Sequence, residues 1–160
     1  MIGCTKTAFG EGQSYWLFGM KVVRRTPEGA SPIILEHHLD PGAGAPLHFH
    51  KGVEDSFYLA AGRLAMRAGD ESFVVEPGDY VSVPTGLPHS LVAIGETEAV
   101  LIQTHTDGSF LDFVAKASVP GDQPRPDPTA LDFPALMAIA ESTGHPVIGP
   151  MLAPEELGKV

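Results

Sequence analysis

Apolar and polar positions alternate in short runs along the first two thirds of the chain. The runs are Tyr15–Arg24, Ile33–Leu39, Ser56–Ala60, Leu64–Ala68, Ser72–Glu76, Tyr80–Val83, Ser90–Ile94 and Ala99–His105. Turn residues separate them: Thr26-Pro27-Glu28-Gly29, Pro41-Gly42-Ala43-Gly44, Gly62, Gly69-Asp70, Pro77-Gly78-Asp79 and Gly95. Short alternating runs bounded by Gly, Pro and Asp predict strands, and about eight of them at this spacing predict an antiparallel barrel or sandwich. Long helical periodicity is absent from this part of the chain.

The last third reads differently. Gly108–Lys116 fits a short helix. Val119–Pro128 holds Pro120, Pro124, Pro126 and Pro128, which rules out a helix or central strand and predicts an extended surface linker. Asp132 then suits the cap of a helix to about Ser142, with Leu136, Ile139 and Ala140 on one face and Gly144 as its stop. The expected division is residues 1–117 as the barrel with its N-terminal strand, and 118–160 as linker and helix packed on it.

Composition narrows the classes. At 160 residues with 43% apolar and 19% charged positions, the chain suits one folded domain. Its formal charge is −10 with only 10 Lys and Arg, which argues against nucleic acid or an anionic membrane as a partner. Cys4 is the single cysteine, so no intrachain disulfide can form. No apolar window approaches the ~18 residues that span a bilayer. A cytoplasmic protein is the simplest expectation.

The candidate chemistry lies in histidines. His48 and His50 flank Phe49, and strand residues two apart share a face, so both imidazoles can converge on one point. Glu54 and Asp55 follow, and His89 comes later, inside Pro84-Thr85-Gly86-Leu87-Pro88-His89. Imidazoles with a carboxylate suit Fe, Mn, Co, Ni, Cu or Zn better than Ca or Mg. The expectation is one divalent transition metal ion per chain on His48, His50, His89 and a carboxylate. Strand parity groups Asp55 with Phe57 and Leu59, and Glu54 with Ser56 and Tyr58, so the apolar inner face favours Asp55.

These residues resemble the two motifs of the cupin superfamily. Gly42, His48-Phe49-His50, an acidic residue and Gly62 follow the first motif; Gly78, Pro84, Gly86 and His89 follow the second, with Ala93 where Asn is usual. The resemblance implies an all-β fold, a single cupin jelly-roll barrel with a short C-terminal helical extension. The family's acidic ligand is Glu, whereas six residues before Gly62 stands Asp55, one methylene shorter.

Gly10-Glu11-Gly12-Gln13-Ser14-Tyr15-Trp16, the segment Glu54-Asp55-Ser56-Phe57-Tyr58 and Val147-Ile148-Gly149-Pro150 extend the likeness to quercetin-dioxygenase-like single-domain cupins. That likeness implies a metal on His48, His50 and His89, Asp55 or Glu54 as catalytic carboxylate, and a dioxygenase acting on an aromatic or enolisable small molecule inside the barrel. A metal stabilises an enolate-type anion while a carboxylate accepts the proton. Two other classes stay open: a non-redox isomerase, lyase or hydrolase on the same metal, and a non-catalytic binding or sensor module.

His37 and His38 are adjacent and face opposite ways, and a structural role is expected for each. His105 closes the last barrel strand and is left off the ligand set. Trp16 and Phe18 are expected to pack in the core or between subunits. Exposed edge strands favour pairing between copies, hence an expected homodimer.

Overall fold

The computed structural model describes residues 4–127 and 130–153; Pro128 of the expected linker falls outside them. The strands are β1 (Gln13–Leu17), β2 (Met20–Arg24), β3 (Ile33–Leu39), β4 (Gly44–His48), β5 (Asp55–Ala61), β6 (Arg63–Ala68), β7 (Glu71–Val75), β8 (Tyr80–Val83), β9 (His89–Ile94), β10 (Ala99–His105), β11 (Val119–Pro120) and β12 (Val147–Met151). The helices are α1 (Ser109–Ala117) and α2 (Phe133–Ser142). All pairings are antiparallel. One sheet runs β11-β1-β2-β3-β10-β5-β8, the other β12-β4-β9-β6-β7. This all-β arrangement of two sheets is a jelly roll rather than one continuously bonded barrel wall. Among the described residues, no helix is long and apolar enough to cross a membrane.

The main core lies between the sheets, where Leu39, Leu59, Leu64, Met66, Val83 and Leu101 are almost fully buried. Each such side chain contributes about 1.5–3 kcal/mol relative to exposure. On β5, Asp55, Phe57 and Leu59 are buried while Tyr58 and Ala60 are exposed, the alternation a one-faced strand requires. On β10, Leu101, Gln103 and His105 point inward in the same way.

Three departures from the sequence expectation have local causes. Tyr15–Arg24 is two strands, because Phe18 (φ 51°) and Gly19 (φ 80°) form a two-residue reversal that pairs Leu17 with Met20. Positive φ at both central positions matches the twist of a tight hairpin, and Phe18 is an unusual residue to bear it. Gly44–His48 is a strand that the alternation did not single out, its polar and small residues lying between β9 and β12. The C-terminal segment, expected to add only a helix, returns as β12 and extends the second sheet beyond β4.

Helix α1 buries Phe110, Phe113 and Val114 against Leu17, Val22, Ile33 and Leu35, closing one end of the fold. Helix α2 starts where Asp132 Oδ1 accepts from Ala135 N (3.1 Å), and the chain turns after it at Gly144 with φ 86°. The segment around Val119 is extended and pairs with β1 through Trp16 and Tyr15. Trp16 lies under the Arg125 guanidinium, and its Nε1 donates to Gln123 O.

Candidate metal centre

The backbone brings the three motif histidines together from two adjacent strands. His48 ends β4, His89 begins β9, and the two are directly opposed in the ladder. His50 follows two residues later in a loop pinned by Gly86 N to His50 O at 3.0 Å and Lys51 N to Gly144 O at 2.8 Å. The turn at Gly86 (φ 80°) then delivers His89 into β9. Ring centroids lie 4.2 Å apart for His48 and His89, 5.1 Å for His48 and His50, and 5.2 Å for His50 and His89. One nitrogen of each falls within 4.8 Å of the others, close enough for the three to hold one metal ion.

The hydrogen bonds orient the rings for that task. His48 Nδ1 donates to Pro46 O (2.7 Å) and His89 Nδ1 donates to Leu87 O (3.0 Å). A carbonyl only accepts, so both protons sit on Nδ1 and both Nε2 lone pairs face the centre, the arrangement typical of metal-ligating imidazoles. Burial is the main cause that lowers His48 to about 4 and His50 to about 2, and neighbouring imidazoles add to it. Both are neutral at pH 7, as metal ligation requires.

Asp55 stands at the centre of the cluster. Its Oδ2 is 3.2 Å from His50 Nε2 and 3.6 Å from His89 Nε2, and its Oδ1 is 3.4 Å from His105 Nε2. None of these nitrogens finds an aligned hydrogen-bond partner among the described residues. Proximity without hydrogen-bond alignment is what groups show when they aim at a shared point rather than at one another. The one aligned donor is the Gln103 amide, at 2.8 and 2.9 Å from the two carboxylate oxygens. Burial would raise the Asp55 carboxyl, but His89, His105, His50 and Gln103 together hold it down at about 2. It is therefore ionised. Glu54 is exposed, and its carboxylate accepts from Ser82 Oγ at 2.9 Å on the outer side of the chain. Of the two acidic candidates, only Asp55 reaches the imidazoles.

Sequence reasoning passed over four residues here. His105 is wholly buried and stacked on Phe110 at 4.6 Å; its parity with Gln103 and Leu101 was the available signal. Gln103 was visible by the same parity. His145 packs edge-on to His50 with centroids 4.7 Å apart, and it follows α2, where no pattern pointed inward. His37 lines the adjacent cavity, with burial as the main cause that lowers it to about 4. His38, as parity requires, faces the other way and bridges Glu36 and Glu98.

A cavity of about 60 Å³ opens beside the cluster. Leu39, Phe57, Leu91, Leu101 and Phe113 are among its apolar walls, and His48, Asp55, Gln103 and His145 supply polar atoms. Apolar walls with a few convergent polar groups are the usual lining of a ligand site, and this chamber is small beside the several hundred Å³ typical of one.

A jelly roll carrying three converging imidazoles and a buried carboxylate defines a β-fold protein with a candidate metal site. Residues 35–105 match the family model described as the cupin domain, and the chain belongs to the cupin superfamily. It is 35% identical over 88 residues to quercetin 2,3-dioxygenase of Bacillus subtilis, covering 51% of this chain and 25% of that enzyme. It is 37% identical over 93 residues to oxalate decarboxylase OxdC of the same organism, covering 55% of this chain and 24% of the enzyme. A solved structure of a variant of that decarboxylase superposes with a TM-score of 0.55 at 29% identity, over 69% of this chain and 31% of the other. An uncharacterised protein of Methanocaldococcus jannaschii is 31% identical over 91 residues, 53% of this chain and 73% of its own. The chain thus spans only about a quarter of the two Bacillus enzymes it matches.

Proposed function

We propose that the protein is a metal-dependent cupin enzyme, a dioxygenase acting on a small enolisable molecule held in the cavity between the sheets. The observation that carries this reading is the set of imidazole nitrogens and the Asp55 carboxylate aimed at one point beside an apolar chamber. His48, His50 and His89 would hold one divalent transition metal ion, with Asp55 beside it. Such a metal supplies stabilisation of negative charge on a bound oxygen and, where it is redox-active, a path to dioxygen chemistry.

The chain's own residues then have defined tasks. Asp55, ionised and within reach of the cluster, accepts the proton that leaves an enolisable substrate. Gln103, donating to both Asp55 oxygens, fixes the carboxylate's orientation. Phe57, Leu91 and Leu101 exclude water from the chamber. A cavity of about 60 Å³ favours a substrate of a few heavy atoms over a flavonol. The similarity to quercetin 2,3-dioxygenase supports the reaction type more than its substrate.

A second reading, a non-redox enzyme such as a decarboxylase, draws on the similarity to OxdC. Against a dianionic substrate stands the cavity wall, which includes no lysine or arginine among the described residues. The open edge at β12, with Ile148 and Met151 exposed, supports a homodimer as the assembly. The test is elemental analysis of untagged protein purified without added metal, followed by oxygen-uptake assays with small diketones and hydroxyketones. Stoichiometric Fe, Ni, Mn or Cu with substrate-dependent oxygen consumption is expected. Stoichiometric Zn with no oxygen consumption would replace this reading with the non-redox one.

A further inference from the structure

The cavity holds more polar atoms than a metal centre uses. His37 and His145 line it and are 6% and 3% exposed; His37 meets the Gln103 side chain, whereas neither ring nitrogen of His145 has an aligned hydrogen-bond partner among the described residues. Gln103 belongs to the same wall, and its side chain is committed to Asp55 through the amide nitrogen and to His37. Buried polar atoms of native proteins are nearly always satisfied, because leaving one dry costs at least as much as a lost hydrogen bond. The two ring nitrogens of His145, held at the wall of one small chamber, match a polar molecule bound inside it.

The position of His145 is set by backbone rather than by chance packing. His145 N donates to Ala140 O at 2.8 Å, Lys51 N donates to Gly144 O, and Val147 pairs with His48. The segment after α2 is thereby zipped along the loop that carries His50, and the imidazole is held edge-on to the His50 ring. This segment lies outside residues 35–105, the part that matches the family model.

We propose that the cavity binds a small uncharged molecule bearing hydroxyl or carbonyl oxygens, and that His145 hydrogen-bonds one of those oxygens. This deepens the enzyme reading above and rests on it for the place of the triad. A volume of about 60 Å³, against the roughly 10–15 Å³ that one water needs on a comparable measure, admits about five heavy atoms. The walls named above are apolar apart from imidazole, amide and Asp55, and no lysine or arginine among the described residues lines the cavity. A ligand hydroxyl, by contrast, finds an acceptor or a donor at His145 whichever tautomer the ring adopts.

The test compares hydroxyacetone with butan-2-one, two uncharged ketones of equal heavy-atom count that differ by a hydroxyl in place of a methyl. Each is titrated by ligand-observed NMR into the protein as purified, with metal content measured on the same samples. The wild type is expected to bind hydroxyacetone about fivefold more tightly, the size of one net hydrogen bond. His145→Leu should remove that preference with metal content as in the wild type, whereas His145→Gln should keep most of it. Absence of saturable hydroxyacetone binding to the wild type, or a preference that survives in His145→Leu, overturns the inference. Loss of metal in both variants would assign His145 to the metal instead and overturn it equally. Wild-type protein that carries no metal yet shows the preference, and loses it in His145→Leu, would remove the metal reading and sustain this one.

Discussion

Stability of the metal-free protein should fall steeply as pH drops below 6.5. His37 and His48 are buried and held near 4, with burial the leading cause in each, against an ordinary imidazole value of 6.5. A folded pKa below the unfolded one means that the unfolded chain takes up protons first. The stabilisation is therefore complete above 6.5, decreases as pH falls, and is gone below about 4, where the folded protein protonates too. Inside that window each group loses about 1.4 kcal/mol per pH unit. Between pH 6.5 and 5.0 the two together remove about 3 kcal/mol, a large share of the 5–15 kcal/mol typical of a folded domain. His50, lowered to about 2, acts in the same direction. The assay is urea unfolding of chelator-treated protein, followed by the fluorescence of Trp16, the single tryptophan, at pH 7.5, 6.5, 5.5 and 5.0. His37→Leu should flatten the decline by one group's share, about 1.5 kcal/mol over the same interval. An unfolding free energy that stays level from pH 7.5 to 5.0, with an unchanged denaturant slope, would refute the claim that these imidazoles are buried and neutral.

Other consequences are tested more simply. His48→Ala and His89→Ala should each abolish stoichiometric metal binding while far-UV circular dichroism stays that of the folded sheets, since the core is apolar; elemental analysis decides it. Gln103→Leu removes the donor to both Asp55 oxygens and should weaken metal affinity about 10–100-fold, read by competition with a chromogenic chelator. Gly62→Ala should destabilise the fold by about 3 kcal/mol or more, measured by urea midpoint. At φ 74° an added Cβ would come within 2.5 Å of Ala99 Cα and Glu98 O, which are backbone atoms that cannot swing aside.

The sequence made the strands legible where one face meets the core and the other meets water. Leu59 buried beside Tyr58 exposed is the pattern that period two detects. It failed where that contrast is missing. Residues Gly44–His48 sit between two strands and near the cavity, so their side chains show no clear inside and outside. The Phe18-Gly19 reversal was hidden because a phenylalanine occupies a position where turn chemistry favours Asn, Asp or Gly. In the site, the residues with fixed spacing were visible: His48, His50 and His89 belong to motifs, and parity singled out Asp55. His105 and Gln103 reach the site through the pairing of β10 with β5, a contact more than 40 positions apart in the chain. Parity shows that both face inward, but a one-dimensional pattern does not show which strand they meet.

His145 shows why the remainder was illegible, and what it means for the site. Nothing local marks it: it follows a helix stop, and its neighbours Gly144 and Pro146 read as turn residues. Its place is set by β12 joining β4 and by the bonds from Phe49 N to Pro146 O and from Lys51 N to Gly144 O. Those same bonds hold the loop that bears His50, so the conformation of the histidine loop and the docking of the C-terminal segment are one cooperative unit. Helix α1 joins in, because Phe110 stacks on His105 and lies within 5.5 Å of the His145 ring, centroid to centroid. The core jelly roll therefore supplies the triad and Asp55, while the segments that follow it supply the back wall. A change in that wall is therefore felt at the histidine loop through the bonds from Phe49 N and Lys51 N, so the back wall and the triad are not independent.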